Sequence, residues 1–191
     1  VKRLLFCLTA SLTLATGSDA LIEGNPASTV RVVVYEDLQC IDCADFRRMM
    51  DQHLLPKFRD KVAFEHRDFP LAKHAWARPA AIAARYFASL KPELGVAWRR
   101  HALVNLKTIS ADNFNTQLAA FARKNGVDPD KALAALEDPA LAAAVEKDFQ
   151  EGVARGIAKT PTVLVNGEPF IERFPLANIV KAIERELAAA Q

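Results

Sequence analysis

Cys40 and Cys43 stand two residues apart in the stretch YEDLQCIDCADF, residues 35–46. Three chemistries fit such a pair: a redox couple, half of a metal site, or two core thiols that are neighbours by accident. Structural zinc requires four ligands, and no second Cys-x-x-Cys follows. His53, His66, His74 and His101 show no paired ligand spacing and read as ordinary surface or core histidines, so no resident metal or other cofactor is expected. Copper(I) accepts two thiolates, with Met49 or Met50 close by, although both methionines also fit the buried stripe of a helix. The position of the pair says more than its spacing. Cys40 falls where a strand ends and a helix begins, and there the free backbone N–H groups and the helix dipole favour a thiolate. Cys43, one turn further along, can reach the same sulfur. An exposed, easily ionised nucleophile backed by a resolving thiol is what thiol–disulfide exchange requires. Thr160-Pro161 is the other candidate part of the site. A proline opening a strand is compatible with a cis bond or a plain trans bond, and beside the cysteines it would offer backbone to an extended substrate segment.

These residues need a scaffold. VRVVVYE (30–36) is β-branched and nearly continuous in apolar character, the pattern of a strand buried on both faces. From Cys40 or Ile41, the residues Phe46, Met49, Met50, Leu54 and Leu55 keep helical spacing as far as Pro56. KVAFEHRDF (61–69) returns to strand-like alternation, which makes a βαβ unit with a parallel pair and a right-handed crossover. The middle of the chain reads as helical throughout. Ser110 is expected to cap one helix, while Asp128-Pro129 and Asp138-Pro139 each pair a cap residue with proline at the first helical position. TPTVLV (160–165) and EPFI (168–171) flank Asn166-Gly167, a strong hairpin signal, and an amphipathic helix through Leu176, Ile179, Val180, Ile183 and Leu187 ends the sequence. The order is βαβ, a helical block, then ββα: an α/β chain.

The first twenty residues differ from the rest. Lys2 and Arg3 precede an apolar run from Leu4 to Thr16, and Ser18-Asp19-Ala20 offers small residues at a cleavage site. Residues 1–20 are therefore expected to be a secretory signal peptide, cleaved or kept as an anchor, with residues 21–191 the working domain and its helical insertion at about 72–157. Loss of Lys2, Arg3 and Asp19 takes the net charge from +2 to +1, a balance that argues against nucleic-acid binding. The expected location is periplasmic or otherwise extracytoplasmic. In an oxidising compartment a pair enclosing so short a loop would staple little, so chemistry explains it better.

Taken together, VVVYEDLQCIDCADF, FEHRDFPL and GIAKTPTVLVNGEPF resemble the motifs of the DsbA-like thiol–disulfide oxidoreductases, over about residues 29 to 188. The resemblance implies a thioredoxin fold with an inserted helical domain, an enzyme whose first cysteine attacks and whose second resolves, and a cis threonine–proline bond. Those roles fall on Cys40, Cys43, Thr160 and Pro161. It also implies reduced or unfolded secreted proteins as partners and a quinone-linked membrane protein for recharging. The ten or so residues ahead of the first strand leave no room for the separate dimerisation domain of the isomerases, which points to a monomer acting as a disulfide donor. A reductase or isomerase of the same chemistry, and a copper(I)-binding protein on the same scaffold, are the alternatives. Ile41 and Asp42 occupy the tuning positions between the cysteines, where familiar members carry proline and often histidine. An acid beside Cys40 opposes its ionisation, so a reduction potential below about −120 mV, toward about −270 mV, is expected. Val34 stands where strong oxidants of the family carry a buried acid. Glu36 either substitutes for that acid or is solvated at the strand end, and solvation is the expectation.

Overall fold

The computed structural model describes residues 21–190, so the expected signal peptide, with Cys7, lies outside the described residues. Five strands form one sheet: β1 (Leu21–Gly24), β2 (Arg31–Glu36), β3 (Ala63–Asp68), β4 (Thr162–Val165) and β5 (Glu168–Ile171), in the order β1-β3-β2-β4-β5. β2 and β3 are parallel, with Val32 opposite Phe64, and the other three pairings are antiparallel. β2 is central and carries Val32 and Val34 without exposure to solvent, as its run of β-branched residues requires. Asn166 (φ 43) and Gly167 (φ 99) make the β4–β5 turn, both with the positive φ that a tight hairpin needs.

The crossover from β2 to β3 begins with α1 (Ile41–Met49), passes through a π-helical turn at Met50–Leu54 and ends in α2 (Leu55–Phe58). Pro56 was expected to stop this helix. In the wider turn just before it the Leu55 amide donates to the Met50 carbonyl five residues back, and the helical path continues to Phe58. Phe46, Met50 and Leu54 of this crossover meet Val32, Val34, Val163 and the last helix, α8 (Leu176–Ala189), in one buried layer.

Between β3 and β4 the chain forms α3 (Ala77–Leu90), α4 (Pro92–Val104), α5 (Phe114–Lys124), α6 (Pro129–Ala134), a 3-10 turn at Ala135–Glu137 and α7 (Pro139–Ala154). Asp128 and Asp138 cap α6 and α7 through their carboxylates, as their sequence pattern implies. Ser110 does not cap α5, which begins four residues later. Ser110 and Asn113 instead exchange hydrogen bonds across a preceding turn. α7 returns to the opposite face of the sheet, where Gly152 lies so close to Phe69 and Tyr35 that a Cβ would sit 2.7 Å from the Phe69 ring. Together these elements are a thioredoxin-like fold with a helical block placed between the βαβ and ββα halves. Residues 21–24, ahead of the first strand expected from the sequence, form β1 at the sheet edge, antiparallel to β3.

Candidate redox site

Cys40 is the N-cap of α1, in extended conformation (φ −86, ψ 130), and its own carbonyl accepts the Ala44 amide at 3.1 Å. The strand-to-helix turn therefore directs unused amides of the first helical turn at its sulfur. Cys40 is 8% exposed and Cys43 is fully buried, and both are free thiols. The loop that presents them is fixed by Asp37. Its amide donates to Cys43 Sγ (3.4 Å), and its carboxylate accepts from Gln39 N (2.6 Å) and Leu71 N (2.7 Å) and meets His74 Nδ1 at 2.8 Å. Gln39 Oε1 in turn accepts the Trp76 amide at 2.8 Å. The turn is thereby tied to the segment that leads into the helical block.

Thr160 and Pro161 come to the same place. The Thr160–Pro161 bond is cis, and the Thr160 carbonyl accepts from Cys40 Sγ at 3.4 Å. The Thr160 hydroxyl is buried with no hydrogen-bond partner among the described residues, and the Pro161 carbonyl accepts from Glu172 N at 2.8 Å. Ile41 is exposed beside Cys40. Asp42 carries an unanticipated counter-ion, Arg173, whose Nε donates to its carboxylate at 2.7 Å.

The two sulfurs differ in acidity. Cys40 falls from 9.0 to about 6, because the Cys43 thiol supports its anion most strongly, with further help from the Cys43 and Asp42 amides against the cost of burial. Cys43 rises well above 9.0 through burial, the neighbouring Cys40 sulfur and the Glu36 charge. One sulfur ionises readily while the other keeps its proton.

Glu36 is not solvated as expected: it is 2% exposed. It lies two residues beyond Val34 on the same face of β2, so it points inward near the cysteine turn. His66 Nδ1 meets its carboxylate at 2.7 Å and Arg99 Nε donates to it at 2.9 Å, while His66 Nε2 reaches Glu23 at 2.8 Å. Arg99 continues to Asp68, and Asp68 to Arg85. Burial works against the Glu36 charge, yet Arg99 and His66 prevail and hold it at about 2. Burial likewise disfavours a charged His66, but Glu36 and Glu23 on its two nitrogens raise its pKa. Sequence reading missed this group. The available signal was FEHRD, four ionisable residues in a row inside a central strand, half of which must face inward. Met50 is wholly buried between helix and sheet and Met49 packs against the same layer. Among the described residues no group of three or more His, Cys, Asp or Glu is arranged to hold a metal.

A family model described as Thioredoxin matches residues 16–185. Among solved structures, α-DsbA1 of Wolbachia pipientis is similar at a TM-score of 0.78 and 18% identity, covering 91% of this chain and 93% of that one. BdbD of Bacillus subtilis is similar at a TM-score of 0.77 and 22% identity, covering 89% and 94%. A thioredoxin-like oxidoreductase of Silicibacter pomeroyi follows at 0.71 and 24%, covering 88% and 92%. At these identities the likeness is one of fold. A curated relative, a Na(+)/H(+) antiporter NhaA of Herminiimonas arsenicoxydans, is 27% identical over 165 residues. The match takes 85% of this chain but spans only a quarter of that relative's length.

Proposed function

The chain belongs to the thioredoxin family, and from that premise we propose that it is an extracytoplasmic thiol–disulfide oxidoreductase acting through Cys40 and Cys43 as a disulfide donor to reduced secreted proteins. The observation that carries this reading is the placement of Cys40 at the N-cap of α1 with Cys43 wholly buried behind it, an arrangement that lowers Cys40 to about 6 and raises Cys43. In the oxidised enzyme a client thiolate attacks the Cys40 sulfur, the Cys40–Cys43 bond breaks, and Cys43 leaves as a thiolate and takes up a proton. A second client thiolate then attacks the client sulfur of the mixed disulfide, releasing oxidised client and the Cys40 thiolate. Two electrons pass from client to enzyme. A leaving group of low pKa departs readily, so the Cys40 value favours this direction.

A value near 6 lies between the ~7 of thioredoxin and the ~3.5 of the strongest oxidant of this kind. The potential is accordingly expected between about −270 and about −120 mV. The deciding experiment equilibrates residues 21–191 with glutathione buffers and measures the oxidised fraction, alongside oxidation of a reduced client. Cys40→Ser is expected to abolish turnover, and Cys43→Ser to accumulate the mixed disulfide. Unchanged client oxidation by Cys40→Ser would falsify the assignment. A potential at or below that of thioredoxin would instead make the enzyme a reductase.

A further inference from the structure

Cys43 has no exposure to solvent, so bulk water does not receive the negative charge that gathers on its sulfur when it is expelled from Cys40. That charge falls to protein donors, and the main chain of Asp37 provides one. The Asp37 amide donates to Cys43 Sγ at 3.4 Å, and the Asp37 carbonyl accepts the Cys40 amide at 3.1 Å, so one residue is bonded to both members of the pair. The structure holds the reduced form, the product of that step, and the amide stands where the charge arrives. It works toward the Cys43 anion, against burial, the Cys40 sulfur and the Glu36 charge.

The Asp37 side chain, itself wholly buried, aims this amide. One carboxylate oxygen accepts Gln39 N from within the cysteine loop. The other accepts two donors from outside it, Leu71 N at 2.7 Å and His74 Nδ1 at 2.8 Å. Because the acceptor is a carboxylate oxygen, Nδ1 carries the hydrogen. Leu71 and His74 are the two ends of one turn, closed by the His74 amide on the Leu71 carbonyl at 3.0 Å. A main-chain amide and an imidazole from that turn therefore grip the same oxygen. His74 is the one side chain among the three donors. It lies at the surface beside Pro70, Arg78 and Phe149 with 20% of its side chain exposed, so it can be replaced without opening the core.

We propose that His74 is a positioning residue: by holding the Asp37 carboxylate it keeps the Asp37 amide aimed at Cys43 Sγ, and so eases the departure of Cys43. The proposal rests on the redox reading above and assigns the group that receives its leaving charge. The client thiolate bonds to Cys40 Sγ, the Cys40–Cys43 bond breaks, and the electron pair passes to Cys43 Sγ. There a fixed donor in a water-excluded setting meets it without reorganising. In the second step the leaving sulfur is that of Cys40, which meets the Thr160 carbonyl and not the Asp37 amide. The clasp therefore acts on the first step and spares the second.

The test separates the two steps by stopped flow. Reduced glutathione is mixed with oxidised protein, from which Cys43 leaves, and with the glutathione mixed disulfide of Cys43→Ser, from which Cys40 leaves. His74→Leu removes the donor, and His74→Gln carries its amide past the Nδ1 position. Each is expected to slow the first reaction about tenfold, the worth of one hydrogen bond to a charged group. His74→Asn returns an N–H near the place of Nδ1 and is expected to restore most of the rate. In the Cys43→Ser background the same substitutions are expected to leave the second reaction unchanged, with the Cys40 thiolate still titrating near pH 6. Equal first-step rates in the asparagine and glutamine variants would overturn the proposal, whether or not the leucine variant folds. Equal slowing of both steps would also overturn it, because a merely loosened loop disturbs both sulfurs alike. Failure of the wild type to exchange with glutathione would instead overturn the redox reading.

Discussion

At the scale of single residues, the site works by giving two chemically identical side chains different surroundings. Cys40 sits on the first turn of a helix with donors around it, and Cys43 sits behind it in apolar packing near a fixed negative charge. Ultraviolet thiolate absorbance of the reduced protein should therefore titrate near pH 6 for Cys40, with no second step until well above 9. The sign for stability follows. A thiol whose folded pKa is depressed stabilises the reduced fold fully above its ordinary value near 9 and loses that contribution as pH falls through about 6. Reduced protein should thus lose stability relative to oxidised protein between pH 9 and 6 in denaturant titrations. Asp42 was legible in the sequence only as a charge beside a thiolate. The structure gives it Arg173 as a counter-ion and an amide that supports the Cys40 anion. Arg173→Ala should raise the Cys40 pKa by releasing the Asp42 carboxylate, and Asp42→Asn should lower it. Equal titration curves in both would show that the pair is too solvated to matter. Glu36→Gln should lower the pKa of Cys43 by removing one of the three influences that raise it. That second step is read from the same absorbance curve.

At the scale of elements, what was legible is what local pattern dictates. The valine-rich β2, the crossover helix, the two aspartate–proline caps and the Asn-Gly hairpin all arise from propensities that act within a few residues. What escaped depended on partners far along the chain. β1 is only four residues long, too short for local pattern to mark, and it pairs along the edge that β3 offers. The π turn before Pro56 depends on continued packing of Leu54, Leu55 and Phe58 after a break that local rules would enforce. Glu36 reads as a strand-end acid until Arg99, sixty-three residues later, arrives to pair with it. The contact between α7 and the sheet is equally non-local. It depends on Gly152, since a methyl there would press on Phe69 and Tyr35. Gly152→Ala should destabilise the fold by about 1–3 kcal/mol, despite the higher helix propensity of alanine. Urea unfolding checks this, and a gain in stability would mean that the two rings move aside freely.

At the scale of the whole molecule, the helical block is tied to the sheet by an ionic contact and to the cysteine turn by an aromatic one. The ionic one runs from Glu23 through His66, Glu36, Arg99 and Asp68 to Arg85. Glu23 and Glu36 are both held at about 2, so their contribution is complete above pH 4.5 and disappears as pH falls toward 2. His66 works in the other sense: its pKa is raised, so its contribution is complete below about 6.5 and declines as pH rises through the higher folded value. Acid unfolding followed by circular dichroism should therefore fall between pH 4.5 and 2, and Glu36→Gln should move its onset. The aromatic contact holds Cys40 and Cys43 in the same buried cluster as Trp76, Trp98 and Phe114, with Trp76 stacked on Phe114 at 5.9 Å. That neighbourhood makes the protein its own optical gauge. A disulfide quenches nearby indole emission and a thiol pair does so less, so the glow of Trp76 and Trp98 should brighten as the cysteines take up electrons, and turnover could be watched without any added dye.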